Sequence, residues 1–276
     1  MGSSSVVYRA VRLSDNRRVV IKAMRRRGAG EAILARREFA LLSDLKHPNI
    51  ITALDFLESP SCVALVLEDI AGRSLRSLVR SSAAGRLDER SAVRLFVDAA
   101  AGLAYLHGRR VVHRDLKPDN LLVSRDGALK IIDFNVASST EEGELLTPTG
   151  TRAFRAPEVL NSPYTPSADV WSVGLCLHFT LHGRLPSQKP GDPPTAAQSV
   201  ASVPTAASDH ASDGASDDVA TPKSLPRRAV TEQPSGPFGS GAWVLRRCLH
   251  EDPRRRATAQ ELLAGASGWL AGCRDT

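Results

Sequence analysis

The sequence predicts an α+β chain in two parts: a small strand-rich part with one helix, then a larger part that is mainly helical. Three observations predict it. Through the first 70 residues, β-branched and apolar runs alternate with turn residues. From about residue 74 the apolar spacing becomes that of helices. Residues 187–240 then lose apolar patterning altogether.

Val6–Val11 and Arg18–Ala23 are β-rich runs, and Ser14-Asp15-Asn16 between them is turn chemistry, so they form a hairpin. Glu31–Leu45 sets Ile33, Leu34, Phe39, Leu41, Leu42 and Leu45 among charges and is followed by Pro48, an amphipathic helix with a stop. Ile50–Leu57 and Cys62–Glu68 flank Glu58-Ser59-Pro60-Ser61 as a second hairpin. In the second part, Asp88 caps a helix whose Val93, Phe96, Val97, Ala100, Leu103 and Ala104 share one face. Asn120–Val123 and Ala128–Ile132 surround the tight turn Arg125-Asp126-Gly127. Thr165-Pro166 places an N-cap before a proline at the first helical position, opening a helix through Leu181. Thr258 and Glu261 form a capping box ahead of a terminal helix. The 54 residues 187–240 hold eight of the 17 prolines and only six Val, Ile, Leu, Met, Phe, Trp or Tyr. Such a stretch cannot bury enough apolar surface to offset its ordering entropy, and it reads as a low-complexity, disordered insertion.

At 276 residues, with 42% hydrophobic and 24% charged residues, the chain can bury a core. No apolar run approaches the ~18 residues of a membrane span. No basic segment followed by an apolar stretch opens the sequence, so no secretory signal is visible. Cys62, Cys176, Cys248 and Cys273 form no C-x-x-C pair, which points to free thiols in a reducing compartment. The expected location is therefore intracellular, in the cytoplasm, with the nucleus as the alternative. The net charge of +6 is concentrated in residues 9–46, where eleven Lys/Arg face four Asp/Glu. Arg25-Arg26-Arg27 has no interleaved aromatics and accompanies no nucleic-acid motif, so it reads as a solvated face and no nucleic-acid partner is expected.

The decisive stretch is Val112-His113-Arg114-Asp115-Leu116-Lys117-Pro118-Asp119-Asn120, then Ile132-Asp133-Phe134. It resembles the catalytic loop H-R-D-L-x-x-x-N and the D-F-G motif of eukaryotic protein kinases of the Ser/Thr type, in order and around a predicted hairpin. Further segments are similar to the same family. These are Val19-Val20-Ile21-Lys22, Glu38 ahead of His47-Pro48-Asn49-Ile50, Gly150–Glu158 ending in Ala156-Pro157-Glu158, Asp169-Val170-Trp171-Ser172, and Asp252-Pro253 with Arg256. The resemblance covers about residues 2–186 and 241–265. It implies a bilobal protein-kinase fold: an antiparallel β-sheet N-lobe with one helix (about 1–68), a hinge (about 68–73) and a mainly helical C-lobe (about 74–276).

The resemblance also implies roles. Lys22 reaches the phosphates of ATP and Glu38 holds it by a charge-assisted hydrogen bond. Asn120 and Asp133 are oxygen ligands suited to Mg2+, with Mn2+ as the alternative. Asp115 accepts the proton of the substrate hydroxyl, and Lys117 contacts the transferred phosphate, the family's usual mark of Ser/Thr specificity. Leu67 is the gatekeeper, Glu68 and Ile70 offer backbone groups to the adenine edge, and Val7, Val20 and Leu122 cover its faces. His113 packs beneath Phe134 and has no chemical role; Glu158 and Arg256 form a buried ion pair. Thr151 bonds Asp115 and Lys117. Thr147 is the activating phosphosite, its phosphate docking on Arg114, so the expected partners are protein substrates and an upstream kinase.

The sequence departs from the family at three places. In the glycine-rich loop, Val7 sets the register, Gly2 matches the second glycine and Ser5 the third, and the first would precede Met1. Truncation is favoured over a partial phosphate cover. Asn135 replaces the glycine of D-F-G; as the non-glycine residue that best tolerates positive φ, it reads as a mild swap. The insertion falls where the family has a substrate-docking helix. The rivals to an active Ser/Thr kinase are an ATP-binding scaffold without turnover, a small-molecule phosphotransferase, which generally lacks the Ala156-Pro157-Glu158 motif, and a basic interaction protein using Arg25–Arg27.

Overall fold

A computed structural model describes residues 5–26, 28–139, 150–186 and 240–273. Gly2, Thr147 and residues 187–239 of the expected insertion lie outside the described residues.

The N-terminal sheet has four antiparallel strands: β1 (Ser5–Arg12), β2 (Arg17–Arg25), β3 (Ala53–Glu58) and β4 (Cys62–Glu68), in the order β1-β2-β4-β3. The β1–β2 turn uses Asn16 at φ 55, a conformation asparagine tolerates. β3 begins three residues later than expected. Ile50 leaves the hairpin to form a parallel bridge with Ile131.

Helix α1 (Ala29–Asp44) packs on β3 and β4. Its buried stripe is Ala32, Ala35, Glu38 and Leu42, spaced three or four residues apart. Ile33 and Leu34, counted toward the apolar face in the sequence, instead point outward. The small alanines let the helix approach the sheet, and that puts Glu38 on the inner face. Arg25 is exposed and Arg26 pairs with Glu58 at 3.1 Å, so the described part of the basic run is a solvated edge.

After β5 (Gly72–Ser74) and the short α2 (Leu75–Ser81), the C-terminal part is organised around α3 (Glu89–Gly108). Asp88 caps α3 by accepting the Ser91 amide at 2.8 Å, and that bond lowers its carboxyl pKa. Next come β6 (Val111–Val112), β7 (Leu121–Ser124), β8 (Leu129–Ile131) and β9 (Ser138–Ser139). Asn120 falls in a 3-10 turn rather than in β7 as expected. The two parts are stitched together where Ile131 donates to the Asn49 carbonyl at 2.8 Å and Asn49 Nδ2 donates to the Leu129 carbonyl at 2.8 Å.

Helix α4 (Pro166–His182) is buried along most of its length and ends at Gly183 with φ 69. Thr165 stands at the expected cap before Pro166, but its hydroxyl pairs with Ser167 Oγ at 2.8 Å instead of a helix amide. Ser240, expected inside the insertion, caps α5 (Gly241–Cys248) through the Trp243 amide at 3.2 Å. Helix α6 (Ala259–Gly272) carries the expected Thr258–Glu261 capping box and packs against α3. Arg256, 5% exposed, bonds Glu158 at 2.5 and 2.8 Å and lies over Trp171. Cys176 and Cys248 are buried free thiols whose pKa burial raises. Among the described residues no helix is long and apolar enough to cross a membrane.

His178 on α4 makes the fold acid-sensitive. Burial, then the neighbouring His182, lowers its pKa to about 4, and its Nδ1 lies 2.9 Å from the Arg184 carbonyl. The unfolded chain protonates His178 below about 6.5, while the folded chain keeps it neutral to about 4. The unfolded state therefore binds more protons in that window, and stability falls as pH drops through it. His178→Gln should lose about 2 kcal/mol less than wild type between pH 7 and pH 4.5 in urea titrations. Parallel losses in both proteins would remove His178 as the cause.

Candidate active site

Lys22 lies on β2, where the register places it opposite Leu65 of β4 and Val7 of β1. It is only 8% exposed. Its ammonium donates to Glu38 at 2.9 and 3.1 Å, to Asp133 Oδ1 at 2.8 Å and to Asn135 Oδ1 at 2.9 Å. Burial disfavours the charged form, but Asp133 and Glu38 outweigh it and hold the Lys22 pKa above the usual lysine value. Glu38 Oε1 also accepts the Phe134 amide at 3.2 Å, which ties α1 to the segment after β8. Phe134 is buried and meets His113 edge-on at 4.8 Å.

A second cluster forms around Asp115. Thr151 donates its amide and hydroxyl to Asp115 Oδ1 at 2.7 and 2.9 Å. Lys117 bridges Asp115 Oδ2 at 2.6 Å and Thr151 Oγ1 at 2.9 Å. Asn120 donates Nδ2 to the Asp115 carbonyl at 2.8 Å. Gly150 makes this approach feasible: it sits at φ 84, and a Cβ there would come within 2.3 Å of the Arg114 carbonyl oxygen.

Asp169, at the start of α4, is fully buried. It accepts the His113 amide at 2.9 Å, the Arg114 amide at 3.0 Å, the Tyr164 hydroxyl at 2.9 Å and a 3.1 Å contact from His107 Nε2. Burial would raise its pKa, but the His107 bond and the charges of His107 and His113 hold it below the usual carboxylate range. The sequence marked Asp169 only as part of a motif; that it anchors the loop before Asp115 appears only in the fold. Arg114, buried at φ 68, reaches Ser138 Oγ at 3.3 Å and lies over Tyr164.

The remaining expected site residues differ in burial. Leu67 and Ile70 are buried, while Val20, Glu68 and Leu122 are half-buried. The Glu68 side chain accepts from Lys130 at 2.8 Å and from the Thr52 amide at 2.8 Å, which holds the end of β4. Val7 is 62% exposed and Ser5, the first residue of β1, is exposed. The expectation for Asn135 needs correction. The residue at positive φ in this turn is Asp133, at φ 65, and Asn135 is not in that region. Its importance lies in the carboxamide, which donates Nδ2 to Asp133 Oδ1 at 2.5 Å. A cleft of about 440 Å³ beside the hinge, lined by Arg9, Arg18, Asp69, Arg73 and Arg125 among others, contains none of these charged clusters.

Two lobes, a buried Lys–Glu pair from strand and helix, and two clustered aspartates define the class of fold, and sequence comparison gives the family. The profile described as "Protein kinase domain" matches residues 1–266, so the chain belongs to the protein kinase domain family. It is similar to sperm motility kinase 3A of Mus musculus, 39% identical over 172 residues (61% of this chain, 33% of that protein). The SNF1-related protein kinase catalytic subunit alpha KIN12 of Arabidopsis thaliana is 34% identical over 190 residues (67% and 38%). CBL-interacting protein kinase 16 of Oryza sativa subsp. japonica is 40% identical over 175 residues (61% and 38%). The matched region spans about a third of the length of these curated relatives.

Proposed function

We propose that the chain is a protein serine/threonine kinase that transfers the γ-phosphoryl group of ATP, with Mg2+, to hydroxyls of protein substrates. The reading is supported by two bonded clusters, Asp115–Lys117–Thr151 and Lys22–Glu38–Asp133. Phosphoryl transfer asks a protein mainly to position groups and neutralise charge. Asp115, oriented on both oxygens by Thr151 and Lys117, accepts the proton of an incoming hydroxyl. Lys117 follows the charge on the transferred group. Lys22, kept cationic by Glu38, binds phosphate oxygens.

Asp133 and Asn120 fit a divalent metal. The Asn120 nitrogen is engaged by Asp115, which leaves its oxygen as the ligating atom, and Asp133 Oδ2 carries no hydrogen bond among the described residues. One carboxylate and one amide oxygen suit Mg2+, which would neutralise phosphate charge when bound. Leu67, Val20 and Leu122 supply apolar surface for the adenine, and Glu68 and Ile70 supply backbone groups.

The test is phosphoamino-acid analysis of a generic basic protein incubated with the chain and Mg-ATP. Phosphoserine and phosphothreonine are expected, and Asp115→Asn should lower their rate at least about a hundredfold. Phosphotyrosine, or equal rates in the two proteins, would overturn the reading. The same reading assigns control to Thr147: a phosphate there adds about −1.5 to −2 charge and suits the Arg114 guanidinium. Thr147→Ala should lose activity about tenfold or more, with phosphate found on Thr147 of the active wild type by mass spectrometry. Full activity without phosphate on residues 138–151 would eliminate the switch.

A further inference from the structure

The Lys22 ammonium has three N–H donors. In this structure Glu38, Asp133 and Asn135 take all three, with Glu38 sharing one donor between its two oxygens. A glycine at position 135 would leave one donor for the cleft. Asn135 occupies it, and its own Nδ2 is engaged by Asp133 Oδ1 at 2.5 Å. The carboxamide thus satisfies both of the charged groups that phosphate and metal must engage.

We propose that Asn135 is a positioning residue that sets the nucleotide affinity of this cleft by competing with phosphate for the Lys22 ammonium. The inference rests on the reading of Lys22 as the phosphate-binding group. A metal held by Asp133 Oδ2 would leave the Asn135–Lys22 hydrogen bond in place. Phosphate therefore replaces a formed, charge-assisted hydrogen bond instead of meeting an open donor. Net affinity is lowered by the value of that bond and recovered when the carboxamide is removed.

The experiment is calorimetric titration of ADP into the full chain, first without divalent metal and then with Mg2+. Asn135 is exposed and lies outside positive φ, so alanine brings neither a cavity nor backbone strain, and equal unfolding temperatures check this. Asn135→Ala and Asn135→Gly should both bind metal-free ADP about tenfold more tightly than wild type. Asn135→Asp, a charged competitor, should bind it more weakly. Tightening in the glycine variant alone would assign the effect to backbone freedom and overturn the inference. Unchanged metal-free affinity, with weaker binding only in Mg2+ for Asn135→Ala, would make Asn135 a metal ligand and also overturn it. Failure of every variant to bind ADP would overturn the nucleotide reading itself and this inference with it, whereas equal binding by wild type and Asn135→Ala overturns only the inference.

Discussion

Asp133→Asn is expected to lower phosphoryl transfer by about a thousandfold or more while the protein stays folded. On the proposed function Asp133 holds metal against phosphate, and it also contributes charge beside Lys22 at 2.8 Å. Asparagine keeps the side-chain shape and tolerates φ 65, where alanine would add backbone strain of about 1 kcal/mol. The loss therefore reports charge and ligation, not folding. The side chain is 32% exposed, so little core energy is at risk. Steady-state kinetics at saturating Mg-ATP, with an unfolding temperature for each protein, checks the expectation. A variant with wild-type kcat would show that Asp133 holds no metal needed for turnover.

The largest stability effect belongs to Asp169→Ala, expected at about 3–5 kcal/mol with near-complete loss of activity. The substitution strips the acceptor from two backbone amides, a tyrosine hydroxyl and a histidine ring at a site with no solvent exposure. Each buried donor left unpaired costs about 1–3 kcal/mol, partly recovered by relaxation. Arg114 then loses the bond that holds it at φ 68, and Asp115 follows it in the chain. Urea unfolding measures the stability, and Asp169→Asn, which keeps one acceptor oxygen, should fall between alanine and wild type. A cost under about 1 kcal/mol in Asp169→Ala would show that the loop before Asp115 is held by other contacts.

The sequence by itself determined those features whose physics is local. Asp88 and the Thr258–Glu261 box cap helices because their partners lie three residues away. Gly127, at φ 85, turns the β7–β8 hairpin because glycine alone bears no penalty there. The catalytic-loop motif brings Asp115, Lys117 and Asn120 together within five residues, so their proximity was legible from spacing.

Tertiary structure alone decided what depends on distant segments. Lys22 and Asp133 are 111 positions apart, and their 2.8 Å contact sits beside Glu38, which α1 buries on the stripe with Ala32, Ala35 and Leu42. The apolar Ile33 and Leu34 misled the helical pattern, since a buried ion pair carries no hydrophobic signal. Asp169 reaches across 55 and 56 positions to the amides of Arg114 and His113. Asn135 read as a backbone substitution for glycine, yet the turn assigns positive φ to Asp133 and sends the Asn135 carboxamide to Lys22. The physical reason is common to all three: a hydrogen bond is decided by separation and angle, and chain spacing sets these only within a turn or one helical step.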